Sequence, residues 1–162
     1  MNSDTVTAIS ATVVAMGSLW VSISQTRAAQ LHNRQSVRPL LQLRHTMAYD
    51  DHRAGLRIVN AGLGPAIVTS TTVLLDGERI GQWDLDTRNR ISDPLPIRPK
   101  AYTLRPGAVV LAGQSIFLFH LEHFQESEHR WFWELVTRRM IVEVIYESLY
   151  GGESFKAVPP VT

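Results

Sequence analysis

MIVEVIYE (140–147) is the stretch on which the reading of the fold turns. Met140, Val142, Val144 and Tyr146 alternate with Ile141, Glu143, Ile145 and Glu147, the period-two pattern of a strand with one buried face and one partly wet face. Working outward, similar runs cut by Gly, Pro, Asn and Asp predict strands near 40–46, 55–60, 66–75, 79–83, 108–111, 115–121 and 154–158. Phe117, Phe119 and Leu121 beside Ile116 and Leu118 read as a strand covered on both sides. Strands of this number and spacing predict a mainly β domain, an immunoglobulin-like sandwich. The Cys–Trp–Cys core of antibody domains is absent, because the chain has no Cys.

Two segments break the strand pattern. DLDTRNRISDPLPIRPKAYTLR (84–105) carries Pro94, Pro96 and Pro99 and has no clear period, so it is expected to be a long loop of the kind that serves function. FQESEHRWFWELVTRR (124–139) predicts one amphipathic helix with Phe124, Trp131, Phe132, Leu135 and Val136 on one side, either capping a sheet or offering a surface to a partner. NAGLGPA (60–66) lacks the Lys-Ser/Thr ending of a phosphate loop and leads from strand to strand. It reads as a tight connection in which Gly62 and Gly64 can take positive φ and Pro65 fixes the exit. LRPGA (104–108) and YGGE (150–153) read as turns.

The N-terminal part is of another kind. Residues 5–26 carry no charge, and Arg27, Arg34 and Arg38 follow. The 18 residues from Val6 to Ile23 would make a helix of about 27 Å, close to the ~30 Å hydrocarbon thickness of a bilayer once a few flanking residues are added. The expected layout is an extracytoplasmic tail (1–5), a transmembrane helix (6–26), a basic juxtamembrane helical stem (27–38) and the β-sandwich domain (39–162). MNSDT before the run has no basic residue, which argues against a cleavable signal peptide. Val6, Ile9, Val13, Met16, Trp20 and Ile23 form a bulky face. Ala8, Ala11, Ala15, Ser18 and Ser22 form a small one, suited to close helix–helix contact in lipid. Arg27, Arg34 and Arg38, with Trp20 at the interface, place the N-terminus outside and the domain in the cytoplasm. Pro39 should end the stem helix by about Val37.

Charge excludes some functions. Three of the 16 Lys and Arg lie in the stem and one of the 15 Asp and Glu lies before the helix, leaving 13 against 14 in the domain. A near-neutral domain is not a general nucleic-acid binder. His120, His123 and His129 (in HLEHFQESEH) with Glu122, Glu126 and Glu128 invite a metal reading, but their spacing does not bring them to one helix face, so no metal and no cofactor is expected. Asp50 and Asp51 beside His52 read as a solvated turn. No catalytic constellation emerges, and an enzyme is not expected. Trp131 and Trp133 point to opposite sides of their helix; with Arg98, Lys100, Tyr102 and Arg138 they form the candidate partner surface.

HNRQSVRPLL (32–41), NAGLGPA (60–66) and YESLYG (146–151) together resemble a pattern in small bacterial single-pass membrane proteins of uncharacterised function with a cytoplasmic β-sandwich-like part. The resemblance implies a bacterial inner-membrane setting and supplies no activity or site residue. The expected function is a non-enzymatic, membrane-anchored interaction module. Its partners would be a protein or a second copy met through the transmembrane helix, together with the lipid bilayer. The alternative is a ligand-gated membrane effector whose domain senses a small cytosolic ligand, such as a nucleotide, and rearranges or opens an oligomeric helix assembly.

Overall fold

The computed structural model describes residues 3–48 and 52–160, the side chains of 3–11, 29–36 and 48 lying outside that description. Two compact units divide the chain, Met1–Ser36 and Val37–Thr162.

The first unit is one helix, α1 (Ser3–Ser36), of 34 residues. At ~1.5 Å per residue it is about 51 Å long. It stops three residues before Pro39, whose ring disfavours helical geometry in the preceding residue. Every side chain from 12 to 28 is exposed, bulky and small faces alike. Ser18 Oγ donates to the Val14 carbonyl at 2.8 Å, Ser24 Oγ to Val21 at 2.8 Å and Thr26 Oγ1 to Ser22 at 2.9 Å. These hydroxyls are therefore turned back onto their own helix. The expectation of a spanning helix over 6–26 needs correction at this level: among the described residues no helix is long and apolar enough to cross a membrane. The described side chains cover only 12–28, and Thr12, Ser18, Ser22 and Ser24 dilute them. Val6 to Ala11, which the span requires, have side chains outside the described residues.

The second unit is mainly β, with nine strands among the described residues: β1 (Leu41–Ala48), β2 (Arg53–Asn60), β3 (Ala66–Leu75), β4 (Glu78–Gly81), β5 (Lys100–Ala101), β6 (Val109–Val110), β7 (Ser115–Leu121), β8 (Met140–Ser148) and β9 (Phe155–Ala157). They form two antiparallel sheets, one in the order β1-β2-β7-β5 and one in the order β4-β3-β8-β9, with β6 also on β3. Both sheets feed one hydrophobic core, a sandwich-like arrangement. In β8, Met140, Val142, Val144 and Tyr146 are buried and the residues between them half-buried, as the alternation predicts. Phe117, Leu118 and Phe119 are all buried in β7. Trp83, Phe119 and Phe132 run through the core with ring centroids 5.6 Å apart at each step. Trp83 is fully buried because its polar groups are met: its amide donates to Thr71 Oγ1 at 2.8 Å and its indole N–H to the Tyr102 carbonyl at 2.7 Å.

The segment 84–105 is not a structureless loop. Asp84 caps α2 (Leu85–Ser92), accepting the Thr87 amide at 2.8 Å, and β5 follows. A short polar helix that buries only Thr87, Ile91 and Ser92 leaves no apolar period to read. The predicted helix over 124–139 begins later and changes winding. It comprises α3 (Glu126–Glu134), with His129 at a non-helical φ of −112°, and a π-helical turn, Leu135–Arg139.

Gly62 and Gly64 do not adopt positive φ. They are required by close approach: a Cβ on Gly62 would collide with the Arg38 carbonyl and the Leu40 amide, and one on Gly64 with the Val37 carbonyl. The turn clasps the first residues of the domain. Buried Asn60 accepts the Leu40 amide at 3.1 Å and the Gly62 amide at 3.0 Å, and donates to the carbonyls of Gly64 at 2.8 Å and Val110 at 3.0 Å. The Leu41 amide donates to the Tyr146 hydroxyl at 3.1 Å.

Candidate functional site

β1 is an edge strand of its sheet, and the α3 region stands beside it. Between them lies a cleft of about 720 Å³. Arg44 and His45 come from β1, and Glu126, Arg130, Trp133 and Glu134 from α3. Thr137 and Arg138 of the π-helical turn and Pro160 complete it. The local sequence explains the shape. α3 anchors itself through Phe132, which stacks on Phe119, and through Leu135 and Val136, all buried. Trp133 is thereby turned away from the deepest core and meets His45 edge-on, with centroids 6.3 Å apart, and Phe124 at 6.3 Å. Thr137 Oγ1 bonds back to the Trp133 carbonyl at 2.7 Å within the π-helical turn, a winding often found where a helix serves a site.

The electrostatics are mixed. Arg130 reaches Glu134 at 3.5 Å across one helical turn, whereas Arg44 is turned towards Gln42, with Nε 3.0 Å from its Oε1. Burial holds the His45 pKa below the usual histidine value, and a hydrogen bond with the Val136 backbone pulls the other way. The ring is therefore neutral at pH 7. Its Nε2 is screened from solvent without a hydrogen-bond partner. An aromatic wall, an unmet imidazole nitrogen and flanking guanidinium groups suit the recognition of an extended or planar partner group.

The residues singled out from the sequence scatter. Trp133 and Arg138 share the cleft. Trp131 packs half-buried against Phe132, 5.8 Å between centroids. Arg98 holds Asn89 at 2.8 Å and Asp93 at 3.8 Å beside α2, while Tyr102 is half-exposed. Lys100 pairs with Glu122 at 2.7 Å on the other edge of the first sheet. Of the six, Trp133 and Arg138 are the ones that line the cleft.

On α1, Ala15, Ser18, Ser22, Trp20 and Arg27 are exposed; the side chains of Ala8, Ala11 and Arg34 lie outside the described residues. Arg38 belongs to the domain rather than the stem, its guanidinium 4.6 Å from the Phe155 ring centre. Asp50 and Asp51 lie outside the described residues. Among the described residues no group of three or more metal-binding side chains converges. His129 is instead structural, its Nδ1 accepting the Gln125 amide at 2.9 Å at the start of α3. Sequence reasoning missed Arg44 and His45, which look like ordinary residues of an alternating strand. Only the position of β1 at a sheet edge beside α3 makes them part of a cleft.

No protein-family model matches the chain, and no curated protein matches it.

Proposed function

We propose that the protein is a membrane-anchored, non-enzymatic interaction module whose β domain receives a partner segment in the cleft between β1 and α3. The observation that carries the reading is on α1. Val13, Val14, Met16, Leu19, Trp20, Val21 and Ile23 are 44 to 74% exposed within one short stretch of helix. Apolar surface of that density is normally covered by lipid or by another helix. The hydroxyls folded back on the helix lower the polarity of the surface further. Together with the uncharged sequence from Thr5 onward and the arginines after it, this favours a bilayer anchor, N-terminus out, in a bacterial inner membrane. Ala15, Ser18 and Ser22 would be the face for a second helix.

The domain reading rests on strand order. β1-β2-β7-β5 opposite β9-β8-β3-β4 follows the A-B-E-D and G-F-C-C′ order of an immunoglobulin-type sandwich. Such sandwiches commonly act as presenting and binding modules, an argument from fold analogy. An edge strand offers unpaired backbone groups to an incoming peptide, and here Trp133, His45 and Arg138 stand along it. The effector alternative needs serine hydroxyls facing a pore; the Ser18 hydroxyl, spent on Val14, weighs against it.

The cysteine-free chain suits a direct test. Single cysteines at Ala15, Ser18 or Ser22 should form disulfide-linked dimers, or crosslinks to a partner helix, in native membranes, whereas one at Met16 should not. The protein should resist alkaline carbonate extraction. Crosslinking from a photoreactive group at Thr137 should label a partner in membranes, and Trp133→Ala should reduce that labelling about tenfold. Release by carbonate would overturn the anchor, and equal labelling of the Trp133→Ala protein would overturn the cleft.

A further inference from the structure

One end of the second unit is uncharged, and the chain enters the unit at that end. The turn after β2 is tied to the entering residues: the Ala61 amide donates to the Leu40 carbonyl at 2.8 Å and the Leu63 amide to the Arg38 carbonyl at 3.2 Å. The turn before β7 joins it, since the Asn60 amide donates to the Gln114 carbonyl and the Gly113 amide to the Asn60 carbonyl, both at 2.9 Å. Ala66 pairs with Val110 and with Ser148, which brings the turn after β8 to the same end. Three turns from distant parts of the sequence are thus gathered beside residues 38–40. Their tips are apolar and open: Leu63 is 78% exposed, Leu149 66% and Leu111 59%, with Leu40 at 50% and Tyr150 at 49%. Residues 58–66 (IVNAGLGPA), 106–114 (PGAVVLAGQ) and 148–152 (SLYGG) hold no charge. The far end of β3, ten residues or about 30 Å away, is the opposite. Its turn DGER (76–79) is exposed and carries Asp76, Glu78 and Arg79.

A leucine exposed singly needs no explanation, but several gathered at one end without a charge among them mark a surface that meets something apolar. The chain leading in says what that is. Residues 27–36, about 15 Å of helix, separate the uncharged run from Val37, so a run that spans a bilayer tethers this end close to the lipid. Leu is sparse among the residues that specify protein partners, whereas a lipid surface asks for apolar area and no directed bonds, and Tyr belongs at its interface. We propose that the turns at 61–65, 111–114 and 149–152 dip into a lipid surface and seat the β domain on the membrane, with Leu63, Leu111 and Leu149 inserted at the boundary of headgroups and acyl chains. The flanking charges are balanced, Arg38 and Arg105 against Glu147 and Glu153, so apolar burial drives the contact and anionic lipid is not required. The inference rests on the bilayer-anchor reading of α1.

The test uses the full chain, which has no Cys of its own, in phosphatidylcholine vesicles. Leu63→Cys, Leu111→Cys and Leu149→Cys each carry an environment-sensitive fluorophore, and Glu78→Cys carries it at the far end. Emission at the three turns should shift to the blue and fall to about half with nitroxide-labelled phosphatidylcholine, as expected for insertion some 5–10 Å deep. Emission at Glu78→Cys should do neither. Leu63→Asp with Leu149→Asp, both at exposed positions, should abolish the quenching at Leu111→Cys while the protein still floats with the vesicles. Flotation without quenching at the turns would overturn the seated domain and leave the anchor standing. A blue shift without nitroxide quenching would show the turns covered by protein and would overturn the lipid contact, as would equal quenching at Glu78→Cys. Failure to float would overturn the anchor and the inference with it.

Discussion

Asn60 and the pair Arg57 and His120 sit a few residues apart on neighbouring positions of the same sheet, and they treat polar burial in opposite ways. Asn60 is buried with four hydrogen bonds made, two accepted and two donated, so both ends of its amide are occupied. Arg57 and His120 each keep a solvent-screened nitrogen with no partner. A shielded polar group costs free energy unless it is bonded. Where that cost is fully offset, the residue explains the fold: Asn60 ties the first residues of the domain, the Gly62–Gly64 turn and β6 into one knot. Where it is left standing, as at Arg57, His120 and His45, no hydrogen bond offsets the cost of shielding the nitrogen.

The largest effect should come from breaking the satisfied side. Asn60→Leu leaves the amides of Leu40 and Gly62 and the carbonyls of Gly64 and Val110 without their partner. At about 1–3 kcal/mol for each buried group left unmet, less whatever water recovers, a loss of about 3–5 kcal/mol is expected. Urea denaturation followed by tryptophan fluorescence measures it; a loss below about 1 kcal/mol would dissolve the contrast with Arg57.

Next in size is the pH dependence of the unsatisfied histidines. His45 and His120 both have pKa values below the 6.5 of a free histidine, chiefly through burial. As pH falls through 6.5 the unfolded chain takes up protons that the folded chain refuses, so stability is highest above that pH and declines on acidification until the folded values are passed. His45→Gln should flatten its share of the decline between pH 7 and 5.5 in denaturation midpoints. A steeper decline would show that His45 is not held neutral.

The smallest effect on stability is expected at Arg57 itself. Arg57→Gln removes a stacked side chain but also relieves the opposition to Arg44, so the change should stay within about 1 kcal/mol by thermal or urea melts. A loss as large as that of Asn60→Leu would make Arg57 structural.

Much of the architecture was legible. The alternation in β8, the apolar run of β7 and the bounds of β3 could be read directly, because a strand buried on one face must repeat every second residue. α2 was not legible: its capping by Asp84 is local, but too few of its residues are buried to leave a period. Gly62 and Gly64 were singled out for the wrong reason, since a chain passing within contact distance leaves no mark on their own φ preferences. The cleft itself was not legible: Arg44 and His45, eighty or more positions before α3, line it with that helix, a proximity that spacing along the chain does not announce.

Local chemistry can be settled by neighbours along the chain, and the sequence by itself determined that much: an N-terminal helix with an uncharged run over 5–26 that stops before Pro39, a mainly β domain after it, and turns at NAGLGPA, LRPGA and YGGE. Which polar residues are satisfied and which are left wanting depends on groups brought together from distant strands. The tertiary structure alone decided that Asn60 is a knot, that His45 faces Trp133, and that Arg53, Arg57 and His120 share one ring. Hydrogen bonding and charge act through space at a few ångströms, and only the folded chain sets those distances.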